Sequence, residues 1–119
     1  MEKGGATMRD ISTIPRISLA QLPTPLYRLP NISARVGKNG YIKRDDMTGV
    51  ALGGNKVRKL EFLLAHALEE GCDYVLTTGG AQSNHAMLTA ACCNRLGLHC
   101  ILVLKKRGVW EKKGNQLLD

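Results

Sequence analysis

Residues 74–104 read YVLTTGGAQSNHAMLTAACCNRLGLHCILVL, and the order of apolar runs and glycines in this stretch decides the fold class. Tyr74 to Thr78 is a short apolar run of the kind that forms a buried strand. Gly79 and Gly80 then turn the chain into a helix, roughly Ser83 to Leu96, whose Ala86, Met87, Leu88, Ala90, Ala91, Cys92 and Cys93 nearly encircle it. Such a helix is expected to be buried. Gly97 stops it, and His99 to Leu104 supplies the next strand. Strand, helix and strand, with both strands apolar enough for burial on two faces, predict an α/β fold: an open parallel sheet with flanking helices and right-handed crossovers.

Working backward, NKVRKLEFLLAHALEEG (55–71) is a second helix closed by Gly71. At about 100° per residue, Leu60, Leu63, Leu64 and Ala67 gather on one face, and Lys56 falls inside that arc. Gly53, Gly54 and Asn55 precede it as a loop, with Asn55 in the N-cap position. An apolar arc and the positive end of the helix dipole both disfavour an ammonium there. A neutral lysine amine is what a carbonyl group needs to form a Schiff base. The alternative is that the stem packs and the charge snorkels to the surface.

In an open parallel sheet, ligands bind beyond the carboxyl ends of the strands, where the following helices begin. Lys56 is therefore expected to converge with Ser83, Asn84 and His85, which bring a hydroxyl, an amide and an imidazole to free backbone N–H groups. The plainer account of Ser83 is a helix cap. Further upstream lie the glycine-rich loop from Thr48 to Asn55, a strand at Tyr41 to Lys43, and LPTPLYRLPNI (22–32), whose three prolines favour extended or edge conformations. Met1 to Ser18 reads as a loosely ordered arm.

Composition narrows the alternatives. The 119 residues are 44% hydrophobic and only 4% aromatic, enough for one modest aliphatic core. The longest apolar run, Cys100 to Leu104, is far too short to span a membrane, and Met1 to Ser12 lacks the apolar centre of a signal peptide, so a cytoplasmic protein is expected. Cys72, Cys92, Cys93 and Cys100 show no CxxC spacing, which favours buried free thiols over disulfides or a metal site. The net charge of +7 invites nucleic acid as a partner. Its one cluster, Lys105, Lys106, Arg107, Lys112 and Lys113 around Trp110, suits a solvated loop better, for want of interleaved aromatics. Gly49 to Lys56 is no phosphate loop either, because Asn55 separates Gly54 from Lys56 and Val57 stands where Ser or Thr would bind magnesium.

The string YIKRDDMTGVALGGNKVRKLE, followed by TTGGAQSNHA, closely resembles the 1-aminocyclopropane-1-carboxylate deaminase and D-cysteine desulfhydrase family. These are pyridoxal-phosphate enzymes of the tryptophan-synthase-β-like fold, fold type II. The likeness runs from about Gln21 to the end of the chain and covers only the first part of such an enzyme. It implies a division into an arm (1–20), an incomplete piece of the larger cofactor domain (21–50) and a partial smaller α/β domain (51–119). It implies that Lys56 forms the Schiff base, that Lys59 lies near the cofactor phosphate, that Asn84 contacts the ring oxygen and that Ser83 meets the substrate carboxylate. His85 and Asn55 are further candidates beside them, while Arg44, Asp45 and Asp46 fit structural ion pairs that orient the glycine loop. The implied activity is deamination of a small amino acid, D-cysteine to pyruvate, ammonia and hydrogen sulfide by preference, with ring opening of the cyclopropane substrate to 2-oxobutyrate and ammonia as the alternative. A homodimer is implied for the full-length enzyme, with neither a membrane nor nucleic acid as partner. The family's phosphate cradle, ring-nitrogen partner and catalytic tyrosine have no counterpart before Asp119. The chain by itself is therefore expected to be inactive and to expose apolar surface. The contrasting class is a noncatalytic α/β fragment or binding module.

Overall fold

The computed structural model describes residues 10–105 and 114–117. Along the chain, strand β1 (Leu26–Arg28), helix α1 (Pro30–Val36), strand β2 (Tyr41–Lys43), helix α2 (Lys56–Glu69), strand β3 (Tyr74–Gly80), helix α3 (Asn84–Leu96) and strand β4 (His99–Lys105) follow one another. β1 and β2 pair antiparallel, Leu26 opposite Lys43. β3 and β4 pair parallel, in register from Tyr74 opposite His99 to Gly80 opposite Lys105. Gly97, in the left-handed region at φ 72°, ends α3 where its place in the sequence puts it.

The prolines divide in their roles. Pro23 lies in a bend and Pro25 directly before β1, but Pro30 opens α1 from the first helical turn, where its fixed φ is already helical and its missing N–H would have had no partner. Helix α1 was not apparent as a helix for that reason. Among the described helices none is long and apolar enough to cross a membrane.

The core lies where α2 meets α3. Val57, Leu60 and Leu64 pack with Met87, Leu88, Cys92 and Cys93, and with Leu19 and Val50 from outside the helices. The buried stripe of α2 is Val57, Leu60, Glu61, Leu64 and Ala65, rotated from the expected arc, so Leu63 is exposed and Lys56 is only half-buried. The rotation follows from Glu61. Its carboxylate, 1% exposed, accepts the backbone N–H groups of Leu19 and Ala20 at 3.0 and 2.9 Å and pairs with Arg16, whose Nε donates at 2.6 Å. Ile17 N–H donates to the Glu61 carbonyl at 3.0 Å, and Arg95 donates to the Leu19 carbonyl at 3.0 Å. Residues 16–20 are thus strapped across the two helices, so Arg16 to Ser18 do not belong to the loosely ordered arm expected from Met1 to Ser18.

The strands depart from expectation in one respect. α3 covers one face of β3 and β4, and the alternate residues Tyr74, Leu76, Ile101 and Val103 are exposed on the other. Two-sided burial needs a second layer, which the described residues do not supply. Cys92 and Cys93 are buried as expected, and burial pushes the Cys93 thiol up to about 12. Cys72 is exposed in the turn after α2, contrary to the reading of all four thiols as core. The basic cluster around Trp110 lies, apart from Lys105, outside the described residues.

Candidate active site

The loop that delivers Lys56 is braced from three directions. The Asp45 carboxylate accepts both Nε and Nη2 of Arg58, at 2.8 and 2.6 Å, and the Thr24 hydroxyl at 2.8 Å. Those bonds, Arg58 first and Thr24 next, hold its carboxyl down at about 2. The Asp45 carbonyl in turn accepts Gly54 N–H at 2.9 Å, and the buried Thr48 hydroxyl bonds both the N–H and the carbonyl of Gly54. Arg44 closes on Asp46 through two nitrogens. The ion pairs of the KRDD run thus orient the glycine loop. Gly53 sits at φ 76°, and a Cβ there would overlap the Asp46 carbonyl oxygen. Only glycine fits that approach.

Lys56 is the first residue of α2. Asn55 occupies the N-cap position but has helical φ and ψ and makes no side-chain cap bond, so its expected capping role does not hold. Lys59 stands exposed one turn further on.

α3 starts beside this loop. Ser83 is its N-cap in extended conformation, its Oγ accepting Ala86 N–H at 3.2 Å. Ser83 N–H closes the preceding turn on the Gly80 carbonyl at 2.9 Å. A Cβ on Gly79 would come within 2.6 Å of the Ser83 side chain, so the serine's placement depends on that glycine. Asn84 Nδ2 donates to the Gly53 carbonyl at 3.5 Å, and a Cβ on Gly54 would overlap that same nitrogen. The two helix starts therefore touch, with Asn84 against the loop that carries Lys56. His85 completes the group: its Nδ1 is buried with no hydrogen-bond partner among the described residues. Burial first, then the charges of Lys59 and Lys56, lower its pKa, leaving a neutral imidazole near two lysines at neutral pH.

Asn84 is thus brought against the loop before Lys56, and His85 within the field of Lys59 and Lys56, with Ser83 as the cap of the same helix and Asn55 beside Lys56 in the chain. The arrangement offers an amine, an amide donor, a hydroxyl still free to donate, and a neutral imidazole at two helix starts. The supporting residues Thr48 and Thr24 were not singled out by sequence, since a buried threonine leaves no periodic signal.

A family model described as pyridoxal-phosphate dependent enzyme matches residues 17–117. A Pyrococcus horikoshii protein bearing the provisional name 1-aminocyclopropane-1-carboxylate deaminase is 52% identical over 109 residues, 92% of this chain and 33% of its own length. The D-cysteine desulfhydrase of Salmonella paratyphi B is 51% identical over 98 residues, 82% of this chain and 30% of the enzyme. The crystal structure of an ACC deaminase homologue superposes with a TM-score of 0.85 at 52% identity, covering 92% of this chain and 33% of that one. The chain spans about a third of the length of the curated relatives it matches.

Proposed function

The chain belongs to the pyridoxal-phosphate-dependent enzyme family, and from that premise we propose that it is the lysine-bearing part of a deaminating lyase for a small amino acid, with D-cysteine as the preferred substrate. Its α/β architecture is that of fold type II, as the resemblance implied. The observation that carries the proposal is the contact between the Lys56 loop and the start of α3 through Asn84.

The donor set suits the cofactor. Lys56, half-buried at the start of α2, would hold the cofactor aldehyde through Nζ; Asn84 Nδ2 would meet the ring oxygen; Lys59 would stand toward the phosphate. Pyridoxal phosphate, when bound, supplies an electron sink for a bond broken at the α carbon of the amino acid. Ser83 presents its O–H to the substrate carboxylate while its lone pair stays on Ala86 N–H. Lys56 Nζ would also carry the α proton of the substrate. His85, kept neutral, adds no further cation beside the two lysines.

The identities of 52% and 51% do not separate the two named relatives, and D-cysteine is kept as the preference that the resemblance gave. Ring opening of the cyclopropane substrate asks Ser83 for a nucleophilic oxygen, whereas elimination of sulfide asks it only to donate. The cap bond from Ala86 N–H leaves the Ser83 hydroxyl a lone pair and its proton for either task, so product analysis decides. In the holoenzyme, D-cysteine should yield pyruvate and sulfide in equal amounts and the cyclopropane amino acid no 2-oxobutyrate. 2-Oxobutyrate release with no sulfide would reverse the assignment. Ser83→Ala should lower kcat/KM about 10- to 100-fold, the loss of one hydrogen bond to a charged group, with most cofactor retained. Unchanged kinetics would leave Ser83 as a cap alone.

For the whole protein we infer a cytoplasmic homodimer, with 21–50 in the larger domain and 51–119 in the smaller. The open face of Tyr74, Leu76, Ile101 and Val103 favours a second reading for the 119-residue chain taken by itself: a noncatalytic α/β fragment. Titrating that chain with pyridoxal phosphate and D-cysteine separates the two. Saturable tight binding with sustained sulfide release would make the open face irrelevant to activity.

A further inference from the structure

We propose that Asn115 is a positioning residue that sets the turn presenting Ser83 and Asn84 to the site. Residues Gly114–Leu117 form a 3-10 turn against the start of α3. Asn115 N–H donates to Gln82 Oε1 at 3.0 Å, and Asn115 Nδ2 donates to the Gln82 carbonyl at 3.3 Å, so one asparagine grips both the side chain and the backbone of the residue before Ser83. Gly114 lies in the left-handed region at φ 57°, and a Cβ on it would stand 2.7 Å from Gln82 Oε1. The approach is as close as a glycine permits.

The turn needs such a grip. It leaves β3 after Gly80, the last residue paired with β4, and is closed internally by the Ser83 N–H bond to the Gly80 carbonyl. On the α2 side, Asn84 reaches the Gly53 carbonyl only at 3.5 Å, at the outer limit of a hydrogen bond. The two bonds from Asn115, at ordinary lengths and from a segment 33 residues away, are the firmer restraint. Because the turn fixes where α3 begins, it fixes the direction of the Ser83 hydroxyl and the Asn84 amide. The proposal rests on these two as site residues.

The test compares Asn115→Ala and Gly114→Ala with the unaltered chain by hydrogen exchange and by borohydride trapping of added pyridoxal phosphate. Exchange at Ala86 and Met87, whose amides bond to Ser83, should quicken about 3- to 10-fold in Asn115→Ala, the effect of one neutral hydrogen bond lost from a local opening equilibrium. Exchange at Leu60 to Leu64 should stay unchanged, which shows the fold is intact. The share of trapped label on Lys56 relative to Lys59 should fall as Asn84 loses its aim. Gly114→Ala, which pushes on Gln82 directly, should act in the same direction. Unaltered exchange at Ala86 and Met87 in both variants would overturn the proposal. So would faster exchange with the Lys56 share unmoved, since the grip would then be structural only. If the unaltered chain shows no preference for Lys56, as a chain that lacks the phosphate cradle would also show, exchange alone decides whether Asn115 holds the turn.

Discussion

Glu61→Ala is expected to destabilise the chain by about 2–6 kcal/mol, the cost of stranding two backbone donors at about 1–3 kcal/mol each. Against a total of about 5–15 kcal/mol for a small domain, that loss is close to unfolding it. The carboxylate is 1% exposed, and truncation leaves the N–H groups of Leu19 and Ala20 without acceptors while releasing Arg16. The strap of residues 16–20 should come away with it, taking Leu19 out of the core. Glu69→Ala, exposed near the end of the same helix, should change stability by no more than about 0.5 kcal/mol.

The same carboxylate predicts a direction in pH. Burial raises the Glu61 pKa, but the bonds from Ala20 and Leu19 and the Arg16 charge outweigh burial, and the net value lies below the ordinary 4.5. A depressed carboxyl contributes stability above its unfolded value, and the contribution is lost as pH falls through the folded value. Asp45, lowered from 3.8 to about 2, adds a loss over that interval. Denaturant midpoints should therefore hold at neutral pH and fall steadily below about pH 4.5, less steeply in Glu61→Gln. Parallel curves for Glu61→Gln and the unaltered chain would show that Glu61 does not drive the acid transition.

Gly53→Ala is the second large effect. Gly53 and Gly71 share a positive φ, 76° and 68°, yet a Cβ at Gly71 meets nothing within 4 Å whereas one at Gly53 overlaps a backbone oxygen of Asp46. Gly71→Ala should thus lose only the conformational term, about 1 kcal/mol. Gly53→Ala must also move the loop between Asp46 and Gly54, and about 3 kcal/mol or more is expected, as for other strained or overpacked sites. Lys56 begins two residues after that loop, so its selective labelling by pyridoxal phosphate should go as well. Equal melting shifts for the two alanine variants would mean that Gly53 is there for its φ alone.

What could be read from the residues, and what could not, follows from how local each signal is. β3, α3 and β4 were legible because their apolar periods and the glycine at 97 are written within each segment. The site was legible in outline because two glycine-flanked helix starts follow strands or loops that place them at one edge. Helix α1 was hidden because Pro30 suits an extended chain and a first helical turn equally. The phase of α2 was misjudged because a glutamate in an apolar stripe reads as solvent-facing, and only the distant N–H groups of Leu19 and Ala20 let Glu61 turn inward. Lys56 consequently lies half-buried at the edge of the stripe instead of within it. The open face of β3 and β4 carries the residues of a covered one, so sequence could not reveal that α3 would be its only described layer. The grip of Asn115 on Gln82 spans too many residues for any local pattern to announce it.

Whether Lys56 is the amine that holds pyridoxal phosphate is decided by borohydride reduction of the holoenzyme followed by peptide mapping. Reduction fixes the cofactor wherever it has joined a lysine. The pyridoxyl group is expected on Lys56, within the peptide that begins α2, and is expected to be lost in Lys56→Ala with the fold retained. A label carried chiefly by Lys59 or Lys43, or one that persists in Lys56→Ala, would contradict it.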